Sequence, residues 1–125
     1  MPLCQIILMR YTTCMHIPFN KTQKIHVPEA TIWDYDISEH IGISYQELSI
    51  RGPQEGYYLN KKCHEIYFII AGSATFHVGD NSFIAEAKDV VVVPENTPHA
   101  IETDHLTYIT ITRPDWFEEQ AEVVF

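Results

Sequence analysis

Residues 65–71, Glu-Ile-Tyr-Phe-Ile-Ile-Ala, form a nearly unbroken apolar run of β-branched and aromatic side chains, which Gly72 stops. A run of this kind offers no polar positions for a solvent face. It predicts a central strand covered on both faces, and other strands must wrap around it. The neighbouring sequence supplies them. Residues 74–78 and 82–85 flank Gly79-Asp80-Asn81, a composition that provides positive φ and closes a hairpin. Residues 90–93 are four valines ended by Pro94, whose missing N–H breaks a ladder, and further strands are predicted over 99–102 and 106–112. Upstream, Ile41, Ile43 and Tyr45 alternate on one face, whereas Leu48 and Ile50 take the opposite parity, which predicts a bulge or bend before Arg51-Gly52-Pro53. From Ile41 onward no apolar stripe recurs at helical spacing for long enough to build a core helix. Asp115 followed by Glu118 resembles a capping box and predicts a short terminal helix over 115–123. The chain therefore reads as all-β, a sandwich or small barrel.

At 125 residues, with 46% hydrophobic and 20% charged residues, the chain has the balance of one globular domain. Residues 1–40 read as an N-terminal arm with edge strands, 41–112 as the barrel core and 113–125 as a tail, without repeat or linker. Eight Lys and Arg against 17 Asp and Glu give a formal net charge of −9, which repels phosphate backbones and anionic membranes, so neither nucleic acid nor a membrane is an expected partner. The apolar run over residues 3–9 ends at Arg10 and lacks the basic start and cleavage signal of a secretory peptide. It is also too short to span a bilayer, and reads as an edge strand or packing arm; Met15 is an alternative start. Cys4, Cys14 and Cys63 form an odd set without CxxC spacing, a poor disulfide framework that fits a reducing, cytoplasmic setting better.

Two stretches resemble the paired signatures of the cupin superfamily. Residues 52–72 are similar to Gly-x5-His-x-His-x3,4-Glu-x6-Gly, with Gly52, Glu65 and Gly72 in register; residues 88–103 are similar to Gly-x5-Pro-x-Gly-x2-His-x3-Asn, with Pro94 and His99 in register. The intervening hairpin has the expected length, and the resemblance covers about residues 40–112. It implies a double-stranded jelly-roll β-barrel with a pocket inside. The ending Thr112-Arg-Pro-Asp-Trp-Phe-Glu-Glu-Gln120 is also similar to the tail of small single-domain cupins.

The departures from the signatures bear on chemistry. The resemblance implies metal ligands at two histidines and a glutamate of the first signature and a histidine of the second, but Tyr58 and Asn60 stand at the two histidine positions. Lys88, Asn96 and Thr103 replace the second signature's two glycines and asparagine; Asn96 still tolerates a left-handed turn. A phenol and a neutral amide are weak donors for a divalent transition metal. Cys63, two positions before Glu65, shares its parity if the strand already runs there, so Cys63, Glu65 and His99 make a candidate three-donor set for Fe, Mn, Ni or Zn, with His64 facing away. Each residue also has a plainer reading. Glu65 can be a buried carboxylate bonded to Tyr58 or Asn60, His99 a satisfied wall histidine, Tyr58 packing, Asn60 a turn former and Cys63 a small buried hydrophobe. His77 can face the pocket or the solvent.

Two functional classes follow. One is a binding module for a small polar or sugar-like metabolite, oriented by Tyr58, Asn60, Glu65 and His99, with Tyr57, Tyr67 and Phe68 packing around it. The other is a cupin enzyme, either a metal-dependent dioxygenase or isomerase, or a metal-independent sugar epimerase or isomerase. In the metal-free form His99 is the base, Glu65 the acid and Tyr58 a second proton donor. Loss of the two metal histidines favours binding. Exposed edge strands and the superfamily resemblance together predict a homodimer.

Overall fold

The structure, a computed structural model, describes residues 14–125; the strand expected over residues 3–9, with Cys4, lies outside the described residues. Among the described residues ten strands run in chain order: β1 (Gln23–His26), β2 (Ala30–Tyr35), β3 (Gly42–Leu48), β4 (Tyr57–Asn60), β5 (His64–Val78), β6 (Asn81–Glu86), β7 (Val90–Val93), β8 (His99–Glu102), β9 (Leu106–Arg113) and β10 (Ala121–Val124). The strand order β1-β2-β3-β9-β5-β8-β4-β10, with β6 and β7 also on β5, curls into a β-barrel, as the resemblance implies. The hairpin closes through Gly79-Asp80, with Val78 opposite Asn81.

β5 joins the two halves. Its residues 64–72 pair with β9 and β7 in one sheet, and its residues 73–78 pair with β6 and β8 in the other. Gly72 therefore does not end the strand, as its sequence position predicted; it lets the strand bend from one sheet into the next. Its φ is +87°, close to a register irregularity between Ile69 and Ala71, and a Cβ placed there would run into the His105 carbonyl oxygen.

The expectation that the run is covered on both faces also needs correcting. Tyr67 and Ile69 point into the barrel and are buried, whereas Ile66 and Phe68 are 37% and 40% exposed on the outside. The outer face is nonetheless apolar across the sheet. Val90, Phe68, Ile109, Tyr45 and Trp33 lie in one cross-strand row, and Val92, Ile66, Ile111, Ile43 and Tyr35 in the next. Phe19 packs on the Trp33 and Tyr45 end of the first row, with ring centroids 5.6 and 5.8 Å away. This second apolar face explains why residues 65–71 read as doubly buried. It also explains the parity change in β3, where no bulge occurs: its register with β2 and β9 is unbroken from Gly42 to Leu48. Ile43 and Tyr45 belong to the outer face, and Ser44, Gln46 and Leu48 to the inner one.

The helix expected over 115–123 is a single 3-10 turn, Glu118–Gln120, followed by β10. Asp115 does not cap it; the turn starts after Phe117 without a side-chain cap. The open edge of β4 decides the outcome, because β10 satisfies its backbone by pairing with β4 from Tyr57 to Asn60. Strands thus extend beyond residues 41–112 at both ends of the chain. Among the described residues no helix is long and apolar enough to cross a membrane.

Gly72→Ala should lower the unfolding free energy by about 2–3 kcal/mol, combining a left-handed penalty with backbone displacement at His105. Gly79→Ala, with φ +58° but only Thr97 at 3.6 Å, should cost about 1 kcal/mol. Urea unfolding of the two variants checks the difference; equal losses would contradict the role given to Gly72.

Candidate functional site

Strand pleating places alternate residues on the inside, and these enclose a cavity of about 430 Å³. Gln46 of β3, Tyr58 and Asn60 of β4, Glu65 and Tyr67 of β5, and Tyr108, Thr110 and Thr112 of β9 line it, with Asp115 and Trp116 from the tail. Ile25, Ile32, Leu48 and Ile101 add apolar wall.

Glu65 is the centre of the polar wall. A carboxylate only 8% exposed needs donors. Two reach the same oxygen: Asn60 Nδ2 donates to Oε1, and His99 Nε2 lies 3.1 Å from it. Oε2 takes neither bond, and among the described residues no buried side-chain oxygen lacks a partner, so this second oxygen is accessible on a residue that lines the cavity. His99 sits behind Glu65, 1% exposed and outside the cavity lining. Its Nδ1 is 2.9 Å from the Thr97 carbonyl, which can only accept, so Nδ1 carries a hydrogen. Nε2 has two partners, Glu65 Oε1 at 3.1 Å and the Tyr67 hydroxyl at 3.3 Å: protonated it donates to the carboxylate, and neutral it accepts from the phenol. The backbone supports this placement. Lys88 and Asn96, which stand where the second signature has glycines, both have positive φ, at 77° and 57°. The Asn96 N–H bonds the Asn60 carbonyl, tying the β7–β8 loop to the end of β4.

Asn60 is the junction between Glu65 and the tail. Its Oδ1 accepts from Trp116 Nε1 at 3.2 Å and Gln120 Nε2 at 2.9 Å, which leaves its amide group to Glu65. Three phenols stand around this centre. Burial, then Glu29 and Glu65, push the Tyr58 hydroxyl well above its ordinary range. Burial, then Glu65, do the same to Tyr67. Burial, then Tyr58 and Glu65, raise Tyr108. All three are neutral proton donors at physiological pH. Tyr67 OH lies 3.3 Å from His99 Nε2, and Tyr58 stacks obliquely on the imidazole at 5.7 Å.

The structure thus brings Tyr58, Asn60, Glu65, Tyr67 and His99 together. It does not bring in Phe68, which points outward, or Tyr57, which is 39% exposed and lies against Arg51. Cys63 is buried, but its thiol faces the Pro114 carbonyl at 3.5 Å rather than Glu65 and His99, and burial, then Glu65 and Asp115, push its pKa up. His64 turns toward Glu95, 4.0 Å away. His77 bonds Ser82 and Glu102 at the surface. Sequence reading missed Trp116, Gln120 and a second polar chain, in which Tyr108 donates to Gln46 and Gln46 donates to Ser44 and Thr110. A signal existed: Tyr108, Thr110 and Thr112 share one parity, as do Ser44 and Gln46.

These residues do not fit a divalent metal. Glu65 and His99 are bonded to each other, Asn60 spends its oxygen on Trp116 and Gln120, Tyr58 stays protonated and Cys63 is turned away. Among the described residues no group of three His, Cys, Asp or Glu side chains is arranged to hold an ion.

Asn60→Ala removes the amide from Glu65 and the acceptor from two donors, so it should cost about 3 kcal/mol, against about 1 kcal/mol for Gln120→Ala. Chemical denaturation of both variants and their double mutant measures this; additive losses would show that Asn60 is not the shared junction.

No curated protein matches the sequence closely enough to count as a relative. Among solved structures, a Streptomyces Pac13 variant with uridine has a TM-score of 0.80 at 15% identity, covering 90% of this chain and 92% of that one. Another Pac13 structure, described as a nucleoside dehydratase, has a TM-score of 0.77 at 15% identity over the same shares. Oxalate decarboxylase from Lactobacillus farciminis, in a formate complex, has a TM-score of 0.69 at 17% identity, covering 84% of this chain and 34% of that one. At these identities the likeness concerns the fold. The family described as Cupin domain matches residues 46–111, more than half of the sequence and the stretch that holds Glu65, His99 and the hairpin between them. The chain belongs to the cupin family.

Proposed function

We propose that the barrel binds a small polar metabolite of sugar or nucleoside size, without a metal ion, and that Glu65 is its anchor. The carrying observation is the division of labour on one carboxylate: Oε1 is fixed by Asn60 and His99, and Oε2 faces the cavity. An acceptor fixed in this way is preorganised for ligand hydroxyls. The neutral phenols of Tyr58 and Tyr67 donate to ligand oxygens, and the apolar wall covers a ring. His99 acts from behind by holding Glu65. The cupins of similar fold whose structures contain uridine make a nucleoside-sized occupant reasonable.

A second reading is favoured by the direct contact between Glu65 and His99. In a metal-independent acid–base enzyme, Glu65 would exchange a proton with a substrate, His99 would supply or receive it from behind, and Tyr58 would be the second donor. Calorimetric titration with uridine and with glucose should show saturable binding that Glu65→Gln weakens at least about tenfold. Binding indifferent to Glu65→Gln would remove the anchor. Deuterium uptake into the bound ligand in heavy water, lost in Glu65→Gln, would select the enzyme reading, and binding without uptake the module.

We also infer that the chain forms a homodimer through the outer face of the sheet rather than through an edge. The apolar rows cross five strands, about 24 Å at ~4.8 Å per strand, a width comparable to a standard interface patch. Two chains of net charge −9 repel, so pairing needs a surface without carboxylates, and these rows supply one. Sedimentation should show a dimer at micromolar concentration that Phe68→Glu converts to monomer. A monomeric wild type would end this reading.

A further inference from the structure

The lining of the cavity is one-sided in charge. Glu29, Asp34, Glu65, Asp115 and Glu122 contribute carboxylates, and among the described residues no Lys, Arg or His lines it. Three of the five have protein partners that moderate them: Gln54 donates to Glu29 at 3.3 Å, Lys61 pairs with Glu122 at 3.4 Å, and Asn60 and His99 hold one oxygen of Glu65. Among the described residues, the side chains of Asp34 and Asp115 have no hydrogen bond or ion pair.

Strand register places Asp34, Asp115 and Glu65 near one level of the barrel. Glu65 is opposite Thr112 of β9, and Thr112 is opposite Gly42 of β3. Asp34 of β2 is opposite Ser44, the next inward residue after Gly42 on β3. The bare Gly42 leaves room for the Asp115 carboxylate, whose Oδ1 lies where a Cβ would be. Glu65, Asp115 and Asp34 are thus strung across β5, β9, β3 and β2 at about 5 Å per strand. The array is too spread to be a metal group, which agrees with the absence of such a group among the described residues. The mutual effect of the acids is visible at Asp34, whose carboxyl is pushed up first by burial and then by Asp115 and Asp36.

The cavity of about 430 Å³ between these acids has the size of a ligand site. Glu65, 8% exposed, turns Oε2 into this same space while Asn60 and His99 occupy Oε1. Tyr58, Tyr67, Tyr108 and Trp116 bring aromatic rings to the wall.

We propose that the cavity selects an organic cation: a sugar- or nucleoside-sized molecule bearing an amino group. Its ammonium lies between Asp34 and Asp115, a hydroxyl or N–H meets Glu65 Oε2, and its ring rests on the aromatic wall. An ammonium directs three N–H donors to oxygens about 2.8 Å away, a longer reach than a metal–oxygen bond, and suits carboxylates that stand too far apart for one metal ion. Anionic analogues are refused, because nothing in the lining neutralises them and the surrounding acids repel them.

This inference rests on the cavity-binding reading above, and two matched series separate them. Uridine, 5′-amino-5′-deoxyuridine and uridine 5′-monophosphate form one; glucose, glucosamine and glucuronate form the other. Calorimetry at low salt should give an affinity for the amine at least about tenfold above the neutral member in one series or both, with no binding of the anion. The Asp34→Asn, Asp115→Asn double variant should bring the amine-to-neutral ratio to about one, and Gly42→Ala, which displaces Asp115, should lower it. Neutral members binding as tightly as amines, or anions binding at all, would overturn the cation inference and leave the cavity reading in place. An amine preference that survives the double variant would overturn the placement at Asp34 and Asp115. Failure of all six probes to bind would overturn the cavity reading and this inference together.

Discussion

A carboxylate buried at the centre of the barrel has to be answered by donors, and here the donors come from every part of the molecule. Glu65 lies on β5, Asn60 at the end of β4 and His99 at the start of β8; Trp116 and Gln120 of the tail hold Asn60 from the other side. Desolvating an unanswered carboxylate costs several kcal/mol, so a chain that buries one is committed to bringing these segments together. That commitment accounts for the tail. A free helix over 115–123 would have left Asn60 Oδ1 and the edge of β4 without partners, and a 3-10 turn followed by β10 satisfies both.

The architecture was legible from residues 65–112 because each strand there ends at a residue with a single backbone meaning. Gly79-Asp80 closes a hairpin, Pro94 stops β7 and His99 opens β8 within the boundaries expected. The failures share a physical origin. Gly72 permits a conformation without dictating whether the strand stops or bends, and only the proximity of the His105 carbonyl decides. The doubly apolar pattern of β5 is the same whether its outer face is covered by its own chain or left open. Pattern reports which side chains avoid water, not what shields them.

The site was half legible for a similar reason. Motif spacing identified Glu65 and His99 because they sit at fixed offsets from glycine and proline, and it brought Tyr58 and Asn60 along by position. It could not say that Cys63 turns toward the Pro114 carbonyl, because parity holds only within a strand and β5 begins at His64, one residue later. Nor could motif spacing find Gln46 and Tyr108, which lie outside both signatures and were marked only by the polar parity of their strands. The metal reading depended on Cys63. With the thiol turned away, the donors that remain are bound to one another.

This rearrangement of roles changes what the site can do. A metal centre would have concentrated positive charge in the barrel and attracted oxyanions. The residues here leave the reverse field: a carboxylate with one oxygen outside its hydrogen bonds, the acids Asp34 and Asp115, and phenols that burial and neighbouring acids keep protonated. Burial is the larger cause of the raised tyrosines and the neighbouring acids the smaller one, and those same acids repel an incoming anion. Within such a field His99 need not touch a ligand to matter. By bonding Glu65 Oε1 it tempers the most buried of the acids, and the outer acids are then free to set the charge of what enters.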